Sequence, residues 1–165
     1  MWKEYIKGFK GHLQLEKSLS SNSVNAYLHD LELLIQFLSG FTHINSPSSV
    51  QYKDLDAFVS EIHKMGLAPA SQARIISGVR NFFKYCLEEN IIQSDPSALL
   101  ESPKLGRKLP DFLSIDEIQK ILDSIDLSTP EGTRNKAIVE TLYSCGLRVS
   151  ELTGLLISQV YFDNE

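Results

Sequence analysis

Along residues 1–90 apolar side chains recur at intervals of three and four, the repeat of one face of an α-helix. Trp2, Tyr5, Ile6, Phe9 and Leu13 make the first stripe. After the polar break SLSSNS a second runs through Val24, Tyr27, Leu28, Leu31, Leu34, Ile35 and Leu38, with Gly40 placed to end it. The loop FTHINSPSSV precedes a third, Leu55, Phe58, Val59, Ile62 and Met65, closed by Gly66. A fourth helix from about Ala70 carries Ile75, Ile76, Val79, Phe82, Phe83, Cys86 and Leu87. Each stripe needs an apolar partner and the four can cover one another, so the pattern predicts a small helical bundle.

The rhythm then fails. SDPSALLESPKLGRKLPDFLS holds Pro96, Pro103 and Pro110 with Gly106, and proline restricts both itself and the residue before it, so an extended interdomain linker is expected. Ser114-Ile115-Asp116-Glu117 is a capping box that opens another helix, with Ile118, Ile121, Leu122 and Ile125 expected on its buried face. A further helix is expected from Pro130, suited to a first turn, to Cys145, with Ala137, Ile138, Thr141 and Leu142 inward. Gly146 is a natural left-handed stop, and a new helix is expected at Arg148 or Val149. LLISQVYF is apolar and β-branched enough to begin a strand. No partner strand follows, so the chain is expected to end inside a domain.

Composition narrows the function classes. The 165 residues include 42% hydrophobic ones, ample for a packed core. No apolar run spans a bilayer and the opening Met1-Trp2-Lys3-Glu4 is no signal peptide, so the cytoplasm is the expected setting and no membrane partner is expected. Cys86 and Cys145 fall in helical patterns as expected free, buried thiols. His12, His29, His43 and His63 have no partner histidine at helical spacing, so no metal site is expected. The net charge of −5 disfavours phosphate partners, with 10 Lys/Arg against 11 Asp/Glu in residues 1–106 and 6 against 10 in 107–165. Any contact with DNA therefore has to come from a local basic face.

One such face exists. The polar side of the fourth helix carries Arg74, Ser77, Arg80, Asn81 and Lys84 and no acid of its own. Such a stripe is either a solvated surface or a helix laid in a DNA groove, where cations grip phosphates and Arg or Asn reaches base edges. Lys104, Arg107 and Lys108 make the linker basic; they either solubilise it or touch a backbone that it crosses. In LYSCGLRVSEL the cation of Arg148 faces the positive end of a helix dipole, a cost of about 0.3–1 kcal/mol. An anion bound there would reverse the sign, since a planar five-donor fork grips two phosphate oxygens, with Glu151 in reach to steady it. The other reading is an ordinary surface pair at helical spacing. Neither Ser150 nor Cys145 has a visible base beside it to make a nucleophile.

LYSCGLRVSELTGL resembles the box around the first catalytic arginine of the tyrosine site-specific recombinases, and most closely the Xer type. LEKSLSSNSVNAYLHDLELLIQFL resembles the opening helices of that family's core-binding domain, and RIISGVRNFFKYCLEEN its last helix. DPSALLESPKLGRKLPDFLSIDEIQKIL resembles the linker and the entry to the catalytic domain. One departure is AYLHDL, where the family often has basic residues in place of Leu28 and His29.

The resemblance implies a mainly α protein: a four-helix, SAM-like core-binding bundle over 1–95, a linker over 96–113, and over 114–165 the helical start of the catalytic domain, incomplete. It implies a clamp around duplex DNA, attack by a tyrosine on the scissile phosphate, a 3′-phosphotyrosyl link and a free 5′-hydroxyl. No ATP, metal or other cofactor is implied, because two arginines, a histidine and a lysine meet the charge on the non-bridging oxygens. Arg148 corresponds to the first of those arginines, and Glu151 supports it. The family's other catalytic groups lie further on than Glu165, and Tyr143 and Tyr161 read as packing residues, so this chain alone is expected to bind DNA without cleaving it. Full-length recombinases of this kind imply partner subunits, four on two duplexes. Two rivals stand beside this reading: a short DNA-binding regulator without catalysis, and a helical interaction module without a nucleic acid.

Overall fold

A computed structural model describes residues 2–106 and 111–160. The chain divides into two compact units, 1–107 and 108–165.

The first unit is the bundle. Helix α1 (Trp2–Gly11) loosens into a π-helical turn, His12–Glu16, where the N–H of Lys17 donates to the carbonyl of His12 at 3.1 Å. Helix α2 (Ser21–Leu38) starts at Ser20, whose hydroxyl accepts from the N–H of Ser23. Helix α3 (Tyr52–Lys64) follows a short 3₁₀ turn at Pro47–Ser49, and at its start the Gln51 N–H donates to Asp54 Oδ2 at 2.9 Å. Gly66, at φ +68°, turns the chain into α4 (Pro69–Glu88), which begins on a proline one residue before the expected Ala70.

The predicted stripes face one another. Phe9, Leu31, Leu34, Leu55, Phe82 and Phe83 are among the completely buried side chains, and α2 against α4 is the most extensive helix pair. Phe9 meets Phe82 edge to face at 5.4 Å, a preferred aromatic geometry. Two stripe positions differ. Leu87 is exposed, and Tyr85 takes the buried place instead, 5.5 Å from Phe9, because the α1 aromatic draws that face of α4 toward it. Met65 lies past the last residue of α3 and is also exposed.

Residues beyond α4 do not all behave as a linker. Asp95 Oδ1 accepts from both the N–H and the hydroxyl of Ser97, at 2.7 and 2.6 Å, closing a tight turn. Ser97 and Leu100 are buried, so the stretch to Leu100 belongs to the bundle's packing. Its apolar residues, Ile92 and Leu100, find a covered place on the core that composition alone does not reveal.

The second unit holds α5 (Ile115–Asp123), α6 (Pro130–Cys145) and α7 (Val149–Thr153). Ser114 and Glu117 form the expected capping box, and Gly146 at φ +62° is the expected left-handed stop. Burial does not follow. Ile121 and Ile138 are exposed, Ile118, Leu122, Ile125, Thr141 and Leu142 are only half-buried, and Ala137 faces solvent. Helices of 9, 16 and 5 residues leave one another's apolar faces incompletely covered among the described residues. Cys145, expected inside, is exposed for the same reason. Ile157–Gln159, expected to start a strand, forms a 3₁₀ turn; Tyr161 and the rest of that stretch lie outside the described residues.

Candidate nucleic-acid interface

The polar face of α4 is assembled as the helical repeat requires, but other elements reach it. Arg74 Nη1 lies 2.7 Å from Asp30 Oδ1 and 2.8 Å from Asp30 Oδ2, a bridge from α4 to α2. The carboxylate is 2% exposed and the guanidinium 48%. Burial raises the Asp30 carboxyl above its ordinary range, outweighing the charge and hydrogen bond of Arg74 and the charge of His29, which pull it down. Arg80 donates through Nη2 to the Leu100 carbonyl and through Nη1 to the Ser102 hydroxyl, holding the chain beyond α4 against the helix. Asn81 Nδ2 donates to the Ser77 carbonyl one turn back at 2.9 Å, and Ser77 itself is exposed. Lys84 is well exposed, its ammonium 4.0 Å from Glu88.

The stripe, expected to be free of acids, is not: Asp30 of α2 pairs with its first cation, Glu88 of α4 itself stands one turn from its last, and Asp95 lines a cleft of about 320 Å³ with Ser77, Arg80, Asn81 and Lys84. Asp30 falls outside the basic stripe that helical spacing picks out. The signal was present, since Asp30 sits on the packed side of α2 between Tyr27 and Leu31, and Gly78 interrupts the opposing helix. An alanine Cβ at Gly78 would stand 2.5 Å from Asp30 Oδ2, so the glycine makes room for the carboxylate. Lys104 is exposed; Arg107 and Lys108 lie outside the described residues.

The second cluster is at α7. Arg148 is its N-cap residue, with extended backbone at φ −75°, ψ 154°. Glu151 accepts from the Arg148 backbone N–H through Oε2 at 2.7 Å and from Nη1 through Oε1 at 3.0 Å. One carboxylate thus fixes both the start of the helix and one arm of the guanidinium. The side chain is 82% exposed, and Nε and Nη2 have no partner among the described residues. Because α7 has only five residues, what it can offer an anion is this held fork rather than a helix dipole. Tyr143 is half-exposed. Among the described residues no group of three or more His, Cys, Asp or Glu could hold a metal ion.

Residues 6–90 match the family described as "Phage integrase, N-terminal SAM-like domain", and residues 111–165 match the "Phage integrase family". The chain belongs to the phage integrase family. Among curated relatives, "Tyrosine recombinase XerD" of Listeria innocua is 35% identical over 96% of this chain and 53% of its own length. The protein of that name from Proteus mirabilis is 41% identical over 94% of this chain and 49% of its own. "Tyrosine recombinase XerC" of Oceanobacillus iheyensis is 35% identical over 96% and 52%. This integrase-family chain thus spans about half the length of the curated relatives it matches. Its fold resembles the crystal structure of a lambda integrase dimer bound to a COC′ core site, at a TM-score of 0.67 and 16% identity, over 96% of this chain and 43% of that one. The two family matches fall on the two halves that the sequence separates, the bundle and the segment holding Arg148.

Proposed function

We propose that this chain grips duplex DNA and supplies the first transition-state arginine, Arg148, of a site-specific recombinase that cuts and rejoins strands through a phosphotyrosyl link. The observation that carries this reading is the exposed guanidinium of Arg148, fastened on one side by Glu151 and open on the other, at the family's motif position. A phosphodiester under attack gains negative charge on its non-bridging oxygens, and a fork held in advance meets that charge without reorganising. The tyrosine oxygen bonds to phosphorus as the bond to the 5′-oxygen breaks, and the proton from the phenol balances the one the departing oxygen takes up. Reversal by another strand's 5′-hydroxyl rejoins the DNA, so the bond energy is conserved and no nucleotide cofactor is consumed. That nucleophile, a second arginine, a histidine and a lysine come from sequence outside this chain, which by itself binds and does not cleave. Partner subunits, four across two duplexes, complete the exchange.

The face of α4 supplies the grip: Lys84, Arg80 and Arg74 for phosphates, Ser77 and Asn81 for polar edges, with Lys104, Arg107 and Lys108 along the crossing segment. Duplex binding should weaken with rising salt, since each phosphate neutralised releases counterions. Affinity that ignores salt would instead favour a helical interaction module. For the arginine, Arg148→Lys in a protein extended to the length of its relatives should lower strand cleavage by about a hundredfold while duplex binding persists, because a point charge cannot reproduce the fork. Cleavage within about threefold of the unaltered protein would reject the assignment.

A further inference from the structure

We infer that Asp30 is a positioning residue, which turns the open edge of Arg74 toward a cleft between α2 and α4 that seats one DNA backbone phosphate. The inference rests on the DNA-binding reading above. The cleft encloses about 260 Å³ and is lined by Ser23, Ala26, Tyr27, Asp30, Arg74 and Ser77. Asp30 engages Arg74 through a single nitrogen, Nη1, which spans both carboxylate oxygens but directs its hydrogen bond to Oδ2. Arg–carboxylate pairs frequently dock fork to fork, two nitrogens on two oxygens, which would occupy that edge. Here Nε and Nη2 keep their donors, with no partner among the described residues, on a guanidinium that is half-exposed.

Those two nitrogens form the edge that grips phosphate bidentately. The Ser77 hydroxyl, free among the described residues, and the Ser23 hydroxyl, 3.0 Å from that of Ser20, stand at the same cleft as further donors. The chain accepts two local costs at this point: a carboxylate buried between helices and a glycine, Gly78, in the middle of α4 that lets the carboxylate approach. The carboxylate holds the arginine in place without using its outer edge, and the glycine admits the carboxylate.

Charge alone predicts the opposite sign, which makes the test decisive. Asp30→Asn removes a negative charge beside the proposed DNA face, so electrostatics by itself would tighten duplex binding. Positioning instead predicts weaker binding, by about tenfold, the lower end of the scale of one hydrogen bond to a charged group. The full chain is titrated against a fluorescein-labelled, mixed-sequence duplex at several salt concentrations, with each variant's thermal melt recorded by circular dichroism. Arg74→Gln should flatten the log–log salt slope by about one, and Asp30→Asn should add no loss in that background. Arg74→Lys keeps the charge and a donor for Asp30, so it should keep the fold and the slope but lose affinity; it reports even where Asp30→Asn fails to fold. Unchanged or tighter binding by Asp30→Asn, or full affinity in Arg74→Lys, overturns the positioning role while leaving salt-dependent binding by the unaltered chain intact. No binding, or salt-independent binding, by the unaltered chain overturns both readings.

Discussion

At the scale of single residues, burial separates groups that the sequence treats alike. Cys86 and Cys145 both sit in apolar helical patterns, yet one is enclosed and the other open. Burial pushes the Cys86 thiol up to about 12, with the charge of Asp95 adding to the effect, so almost none is thiolate near neutral pH. Titration of the native chain with a chromogenic disulfide reagent at pH 8 should therefore modify a single thiol quickly. The second should react only after denaturant is added; two fast thiols would contradict the enclosure of Cys86. Arg148 and Arg74 repeat the lesson for cations. Each guanidinium is tied to a carboxylate by one of its nitrogens and keeps the remaining edge free, but Glu151 stands three residues away and Asp30 forty-four. The nearer partner is legible from helical spacing. The farther exists only once α2 lies on α4.

Elements show why that second partner was hidden. Period foretells α1 to α4 because each helix carries its own apolar face, and glycines and polar breaks mark several of their ends, all local in sequence. Nothing local says that the gap left by Gly78 in α4 matches an acid in α2. Gly78→Ala tests that match: helix propensity favours alanine by about 1 kcal/mol, whereas a Cβ forced against the Asp30 carboxylate should cost about 1–3 kcal/mol. Urea denaturation should show net destabilisation; a gain equal to the propensity would mean that the carboxylate moves aside freely. The same limit explains the region after α4. Its prolines announce the end of the helical pattern, but the tight turn at Pro96, the docking of Leu100 and the hold of Arg80 on the Leu100 carbonyl depend on a surface built by distant residues. Within the candidate site, Arg148, Glu151 and the α4 stripe were readable from motif and spacing, and the acids that discipline the stripe were not.

For the whole molecule, stability is distributed very unevenly. Among the described residues, every hydrophobic residue of the buried core lies between Phe9 and Leu100. Residues 1–106 produced alone should therefore keep the cooperative urea transition of the full chain, with a similar slope, since slope follows the area exposed on unfolding. Residues 108–165 alone should melt gradually and bind a hydrophobic dye; a sharp transition there would show burial that the exposed aliphatics do not. Phe112, Ile115, Val149 and Ile157 are more than two-thirds exposed, and Leu156 nearly so. Such uncovered oil is adhesive, and at high protein concentration copies will cling to one another through it whether or not DNA is present. Subunit stoichiometry on a duplex is thus meaningful only in dilute samples, where the count stays constant as protein and DNA are diluted together.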